Sequence, residues 1–184
     1  MRWPASSDTS QSAEAAVSDA SPARTVRAVT PADAEWVRQH TIDTWHDDIV
    51  VAHGEVFRPH ELPGFIALLD EEAVGLATYR IDGDGCEILT IDSIREGAGV
   101  GTRLIDTVKE VAIRAGCRRL WLLTTNDNLH AIGFYQKRGF SLVRVHVGAA
   151  TQARRLKPSI PLIGFGGIPV RDDIELEMQL PAQG

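Results

Sequence analysis

The stretch over residues 87–140 constrains the fold of this chain more than any other. A β-branched and apolar run at residues 86–92 leads into a turn with a glycine at every second position, namely Gly97, Gly99 and Gly101. Apolar residues then recur at three- and four-residue steps over residues 100–115, which predicts a helix with one apolar face. The order is therefore a strand, a glycine-rich turn and an amphipathic helix.

A glycine turn that opens a helix suits the binding of phosphate, because unhindered backbone N–H groups and the positive end of the helix dipole point the same way. Two common phosphate-binding loops do not fit the spacing. A dinucleotide fingerprint that began at Gly97 would need a third glycine where Thr102 stands, and a P-loop would need lysine where Gly101 stands. The turn therefore does not indicate an oxidoreductase or a P-loop protein.

A second motif follows after one predicted helix and one apolar strand at residues 120–125. It matches the pattern Asn-x-x-Ala-x-x-Phe-Tyr-x-x-x-Gly-Phe, with the fixed positions at Asn128, Ala131, Phe134, Tyr135, Gly139 and Phe140. Together with the glycine turn, this motif resembles the GNAT superfamily of acyl-CoA N-acyltransferases, closely over residues 65–147. One departure is Glu96, where the family pattern has arginine or glutamine, so Arg95 or Arg103 is expected to supply the positive charge.

The resemblance implies an α/β (α+β) fold with a central, mostly antiparallel mixed sheet of about seven strands flanked by helices. This single GNAT domain is expected over residues 24–184, behind a disordered Ser/Ala/Asp-rich tail at residues 1–23. The implied acyl donor is acetyl-CoA, and no metal is expected. The residues that the family would place against the donor are Ile91, Arg95, Gly97, Gly99, Val100, Gly101, Thr102, Asn128, Ala131 and Tyr135.

Transfer of an acetyl group to an amine needs a polarised thioester carbonyl, a deprotonated amine and a proton for the leaving thiolate. The resemblance assigns the carbonyl to a backbone N–H near Ile91 or Asp92. It assigns the proton to Tyr135, for which a purely structural role as a core aromatic is the alternative. The candidates for the general base are Glu87, which would otherwise be a solvated residue of the sheet, and Asp92. An amine that arrives partly deprotonated would need no base.

The flanking segments follow the family architecture in outline. A short strand at residues 25–29 precedes Thr30 and Pro31, which are typical of a helix start. That helix is predicted to continue into Trp45 and towards Val50. The remaining predicted strands lie at residues 65–69, 73–80, 141–147 and 173–180.

An insert at residues 148–173 separates the last two predicted strands. It is predicted to begin as a short basic helix at residues 149–157 and then becomes rich in proline and glycine. Long ordered loops in compact domains are usually functional or mobile, and we expect the insert to border the acceptor pocket. A solvent-exposed loop or a dimer contact is the alternative.

Composition excludes several classes of protein. The net charge of −6 argues against a nucleic-acid surface, which would normally be basic. No apolar run is long enough to span a membrane, and no apolar segment of the signal-peptide type follows Met1. Two cysteines, Cys86 and Cys117, are too few for a disulfide scaffold, which favours a reducing cytoplasm.

Three of the six histidines are spaced by seven residues, at His46, His53 and His60. Because Gly54 and Pro59 interrupt any helix between them, this spacing does not indicate a metal site. His46 or His53 is instead a candidate for the acceptor pocket, together with the neighbouring residues Trp45, Asp47 and Asp48. A solvated helix face is the alternative for these residues.

The sequence therefore predicts a cytoplasmic N-acetyltransferase that transfers an acetyl group from acetyl-CoA to a primary amine of a small molecule or peptide by direct transfer. The alternative from another class is an acyl-CoA-binding sensor or partner-binding module without turnover. The acceptor would be bound by residues 36–64 and 148–173, where no motif identifies it. Homodimer formation is left open.

Overall fold

The computed structural model describes residues 24–95 and 98–181. Four helices, α1 to α4, have the bounds Ala34–Trp45, Val100–Arg114, Leu129–Gln136 and Ala149–Ala153. Nine strands, β1 to β9, have the bounds Arg24–Ala28, Val50–Ala52, Glu55–Phe57, Gly64–Leu69, Glu72–Asp82, Gly85–Ser93, Arg119–Thr125, Ser141–His146 and Asp173–Gln179. The predicted disordered tail at residues 1–23 lies outside the described residues.

Seven of these strands form one sheet in the order β1-β4-β5-β6-β7-β9-β8, and β2 and β3 form a separate hairpin. All neighbours in the large sheet are antiparallel except β6 and β7, which are parallel and joined through α2. The mixed, mostly antiparallel seven-stranded sheet is the predicted GNAT fold. The insert leaves β8 and returns as β9 between β7 and β8.

The helix α2 buries its apolar stripe on one face of the sheet. Val100, Leu104, Ile105, Val108 and Ala112 are each at most 5% exposed and pack with Ile88, Leu120, Leu122 and Leu176 from the central strands. The opposite face carries a smaller cluster in which α1 contributes Val37 against Ile66 and Leu76. Removing these apolar side chains from water at about 25 cal/mol per Å² provides the main driving force for the fold.

Two predictions at the flanks are corrected by the structure. Helix α1 ends at Trp45, because His46 takes a left-handed backbone conformation with φ +59°, and its N–H bonds to Ile42. The chain does not remain helical towards Val50 but enters the β2–β3 hairpin, which sequence analysis missed. The predicted basic helix in the insert is also shorter, since α4 ends at Ala153.

Candidate active site

The two central strands separate towards their carboxyl ends. Strand β6 pairs with β7 only from Gly85 to Ile88. In β6, Leu89 has no partner in β5, because Thr78 pairs with Thr90 while the next residue along β5 pairs with Ile88. Such a bulge bends a strand and re-aims its side chains. The outer edge of β6 beyond Ile88 is thus open in the described structure.

A cavity of about 440 Å³ lies at this opening, which we call the donor pocket. It is lined by Ile91, Asp92, Ser93, Arg95, Gly99, Val100, Gly101, Thr102, His130, Ala131, Phe134, Tyr135 and Arg138. The glycine turn and the second motif, which are separate in sequence, therefore meet in one pocket. Of the residues predicted for the donor, Asn128 is not among the lining residues. Gly97, like Glu96, lies outside the described residues.

The two described glycines of the turn are required for different structural reasons. Gly99 is the N-cap of α2 in a left-handed conformation with φ +73°, which costs glycine least. Gly101 is helical, and a Cβ built there would lie 2.9 Å from Cζ of Phe134. It thus permits α2 to pack closely on α3. The first internal bond of α2 runs from Arg103 N to Gly99 O, so the preceding N–H groups point out of the helix end.

Arg138 is a pocket residue that sequence analysis missed. Its guanidinium lies 3.4 Å from the centroid of the Phe134 ring. It donates to Thr102 Oγ1 and to the Phe134 carbonyl oxygen, both at 2.8 Å. These contacts fix a cation beside the N-terminus of α2. Of the two cations predicted for this pocket, Arg95 and Arg103, Arg95 is among the lining residues, and one of its guanidinium nitrogens lies 3.4 Å from Glu72.

Helix α3 positions the predicted general acid. Asn128 is its N-cap, and its side-chain oxygen accepts the N–H of Ala131 at 3.2 Å. One turn further on, Tyr135 is 7% exposed and lies edge-on to Phe134 and Phe140, with ring centroids 5.4 and 5.8 Å away. Burial raises the pKa of Tyr135 far above its usual value, and the negative charge of Asp92 adds to this shift. The phenol therefore keeps its proton at neutral pH.

Both candidate bases already have histidine partners. Asp92 accepts from Nε2 of His40 with both oxygens at 2.8 Å, and the His40 ring stacks on Trp36. Glu87 is 2% exposed, so the alternative of a solvated residue of the sheet is wrong. Its two oxygens accept from His53 Nε2 and from Arg80 Nε, each at 2.7 Å. Sequence analysis did not foresee either pair.

A second cavity of about 390 Å³, here the hairpin cavity, lies between the β2–β3 turn, the insert and the sheet. It is lined by Val51, Ala52, His53, Gly54, Leu123, His146, Ala149, Gln152, Ala153, Arg155, Leu156 and Asp173. Burial raises the pKa of Asp173 to about 6. The insert borders this cavity, as does His53. Trp45, His46, Asp47 and Asp48 are not among its lining residues, and Asp48 instead pairs with Arg38 at 3.2 Å.

Two basic residues hold the insert in place. The Arg154 guanidinium donates to the carbonyl oxygens of Ile160, Pro161 and Val170. Lys157 is 6% exposed and donates to the Ile49 carbonyl at 2.7 Å, and burial lowers its pKa. These two charges therefore anchor the insert to its own turns and to the segment before β2, and form no exposed basic surface.

Within residues 24–95 and 98–181, no group of three or more His, Cys, Asp or Glu side chains is placed to hold a metal ion. No helix in those residues is long and apolar enough to cross a membrane. Cys86 and Cys117 are both buried as free thiols.

Comparison with known proteins identifies the family. The model of the acetyltransferase (GNAT) family matches residues 26–140. The uncharacterized protein YdhI of Bacillus subtilis is 46% identical over 131 residues, which are 71% of this chain and 82% of that protein. YxbD of the same organism is 40% identical over 137 residues, which cover 74% and 86% of the two chains.

One solved structure of similar fold is a GNAT family acetyltransferase from Elizabethkingia anophelis with acetyl-CoA bound. It has a TM-score of 0.62 and 21% identity, and the match covers 85% of this chain and 98% of that one. At this level of identity, the likeness establishes the fold.

Proposed function

Because the chain belongs to the GNAT acetyltransferase family, we propose that it transfers an acetyl group from acetyl-CoA to a primary amine of a small molecule or peptide. One observation carries the proposal. The donor pocket brings the open edge of β6, the N-terminus of α2 and the hydroxyl-bearing Tyr135 of α3 into one cavity. These are the three elements that a thioester donor and its leaving group require.

The pocket offers a distinct partner for each part of the donor. The outward N–H groups at the start of α2 suit the pyrophosphate, and Arg138 and Arg95 add positive charge beside them. The pantetheine arm would lie along the open edge of β6 beyond Ile88, bonded to the backbone as an added strand is. Acetyl-CoA bound to the Elizabethkingia protein of the same fold supports this donor.

The chemistry then needs few side chains. A backbone N–H near Ile91 or Asp92 polarises the thioester carbonyl, and Tyr135 gives its proton to the departing thiolate. The acetyl group passes directly to the amine, since neither cysteine lines the donor pocket. Burial raises the pKa of Cys86 to about 12, so this thiol is a poor nucleophile near neutral pH.

Ligand-induced thermal stabilisation tests donor binding first. At a hundredfold excess over the Kd, a ligand adds about 2.7 kcal/mol, which raises Tm by roughly 5–10 °C for a chain of this size. We expect this shift with acetyl-CoA and coenzyme A and none with NADH. No shift with millimolar acetyl-CoA would refute the assignment of the donor pocket.

Release of free thiol in the presence of a panel of primary amines then tests turnover. Thiol release that depends on an amine, with the acetylated amine identified by mass, supports the enzyme. Binding of acetyl-CoA without amine-dependent release would instead support the non-catalytic acyl-CoA-binding module.

A further inference from the structure

The turn of the β2–β3 hairpin is unusual in its first residue. Its two central residues, His53 and Gly54, have φ of +54° and +76°. A two-residue turn of this kind favours asparagine, aspartate or glycine at its first position. A histidine in this left-handed conformation strains the backbone, and strained residues concentrate at functional sites. The turn aims the His53 ring at the sheet, where it lies 5.2 Å from the ring of Trp121.

The hydrogen bonds of His53 leave one ring nitrogen available. Nε2 lies 2.7 Å from Oε1 of the buried carboxylate of Glu87, whose other oxygen is held by Arg80. Nδ1 has no hydrogen-bond partner in the part of the chain that the structure describes. The ring is 27% exposed and lines the hairpin cavity. A carboxylate that accepts the N–H of one ring nitrogen fixes the tautomer and leaves the other nitrogen as a proton acceptor.

The hairpin cavity reaches β7 just past the point where the pairing of β7 with β6 ends. Glu87 pairs with Trp121, one residue before the pairing of β6 with β7 ends at Ile88 and Leu122. Leu123, the next residue of β7, lines the hairpin cavity. The donor pocket lies at the opening beyond that point, lined by Ile91 and Asp92 of β6. An amine in the hairpin cavity would therefore approach the thioester from the His53 side of the sheet.

We propose that the hairpin cavity receives the acceptor as a protonated primary alkylamine, and that His53, oriented by Glu87, takes its proton. This inference rests on the proposed acetyl transfer. In the first step, R–NH₃⁺ gives one proton to Nδ1, and the imidazolium that forms is paired with the Glu87 carboxylate. His53 is thus the catalytic base, and Glu87 is its positioning residue.

The remaining steps balance without another reactant. The free amine attacks the thioester carbonyl, the C–N bond forms, and the C–S bond breaks as the thiolate takes the proton of Tyr135. The second proton of the adduct nitrogen restores the Tyr135 hydroxyl, and imidazolium releases the first proton to water. The net products are the acetamide, coenzyme A and one proton.

The other histidine–carboxylate pair does not fit this role. His40 is 7% exposed, both Asp92 oxygens face its Nε2, and its ring stacks on Trp36. It lines neither the donor pocket nor the hairpin cavity. We therefore assign to His40 the structural task of holding Asp92.

The charged groups around His53 define a pH window for a test. They are Glu87 and Arg80 on the sheet, Glu55 of the hairpin beside Arg80, and His146, Arg155 and Asp173 across the hairpin cavity. Burial raises the pKa of Asp173 to about 6, so this carboxyl stays ionised above pH 7.5. A primary alkylamine, with a pKa of about 10.4, loses its own proton to solvent as the pH approaches 10.

The matched variants are His53→Gln and His46→Gln. His46 is exposed, lines neither cavity and also has a left-handed backbone, with φ +59° against +54° for His53. The same substitution thus imposes the same backbone demand at both sites. For each protein, kcat/KM is measured from pH 7.5 to 9.5 with the best acceptor from a panel of spermidine, tyramine and lysine amide, by thiol release and by product mass.

We expect His53→Gln to lower kcat/KM by about 10²–10³-fold at pH 7.5, which is typical for loss of a general base. The deficit should shrink to about tenfold at pH 9.5, while the Kd for acetyl-CoA and the rate of His46→Gln stay at the wild-type values. A loss that is constant over this range, or smaller than threefold at pH 7.5, would overturn the role of His53. Wild-type protein that transfers to no amine would instead refute the proposed function.

A second variant covers the case in which His53→Gln does not fold. His53→Asn places at the turn a residue that adopts the left-handed conformation readily, but its amide cannot take a proton. It should show the same pH-dependent deficit. A wild-type rate in this folded variant would overturn the proposal equally well.

Discussion

Tyr135→Phe is the substitution that tests the proposed general acid most directly. The change removes one oxygen and keeps the ring between Phe134 and Phe140. In the described part of the chain, the hydroxyl has no hydrogen-bond partner, so its removal leaves no buried group newly unpaired. We therefore expect the free energy of unfolding to change by less than about 1 kcal/mol, and the Kd for acetyl-CoA to stay within about twofold.

The effect on turnover should be much larger. General acid catalysis contributes typically 10²–10⁴-fold, so kcat should fall by at least about 10²-fold, or about 2.7 kcal/mol in activation free energy. Burial and Asp92 hold the pKa of Tyr135 above its usual value. The wild-type phenol is therefore still protonated at pH 9, and the deficit should not vary between pH 7 and 9.

Tyr79→Phe is the matched control. Tyr79 is the other of the two tyrosines of the chain, and its ring stacks on Phe65 with the ring centroids 5.9 Å apart. Burial raises its pKa as well, but it lines neither the donor pocket nor the hairpin cavity. Steady-state thiol release and isothermal titration with acetyl-CoA measure both variants. We expect Tyr79→Phe to keep the kcat of the wild type. If kcat of Tyr135→Phe also stays within twofold of the wild type, Tyr135 is a core aromatic and its assignment as the general acid is wrong.

Two further predictions concern the packing behind the donor pocket and the pH dependence of stability. Gly101→Ala should cost about 1–3 kcal/mol of unfolding free energy and weaken acetyl-CoA binding, because its Cβ would lie 2.9 Å from Phe134. Thermal denaturation of both variants tests this. Gly133→Ala adds a Cβ that meets nothing within 4 Å in the described structure, so it should instead raise Tm. Equal changes of Tm in the two variants would refute the packing argument. Burial raises the pKa of Asp173 to about 6, so over this range the folded state binds a proton that the unfolded chain has released, and the contribution of this carboxyl to stability should decrease as the pH rises from about 4 to about 6. Asp173→Asn should remove this contribution and so make the free energy of unfolding, measured with urea, rise more steeply or fall less steeply with pH between about 4 and about 6 than in the wild type; an unchanged slope would contradict the assignment.

The donor side of the site could be predicted because the residues that form each of its elements are neighbours in the sequence. The strand, glycine turn and helix around Gly99 form one uninterrupted segment, and Asn128 caps α3 three residues before the Ala131 N–H that it accepts. Local periodicity and capping chemistry report on such neighbours. The fold, a mixed and mostly antiparallel sheet flanked by helices, followed from the same segment through its family resemblance.

The contacts that sequence analysis missed join distant parts of the chain. Arg138 reaches Thr102 across 36 residues, and His40 reaches Asp92 across 52. No local pattern marks such pairs. The β2–β3 hairpin was missed for a different reason, since its strands are three residues long and its turn begins with His53, which is not a typical turn residue.

The bulge at Leu89 explains why neither candidate base could be placed from its spacing. In a regular strand, side chains alternate between the two faces, so residues five apart such as Glu87 and Asp92 point to opposite sides of the sheet. Here Asp92 pairs with Leu76 and Glu87 pairs with Arg80, which are four residues apart in β5 and share one face. The unpaired residue thus brings both carboxylates to the face that carries α1, within reach of His40 and His53. The same bulge bends β6 away from β7, so one extra residue both opens the edge proposed for the thioester and puts Asp92 on the same face as Glu87, the residue that positions the proposed base.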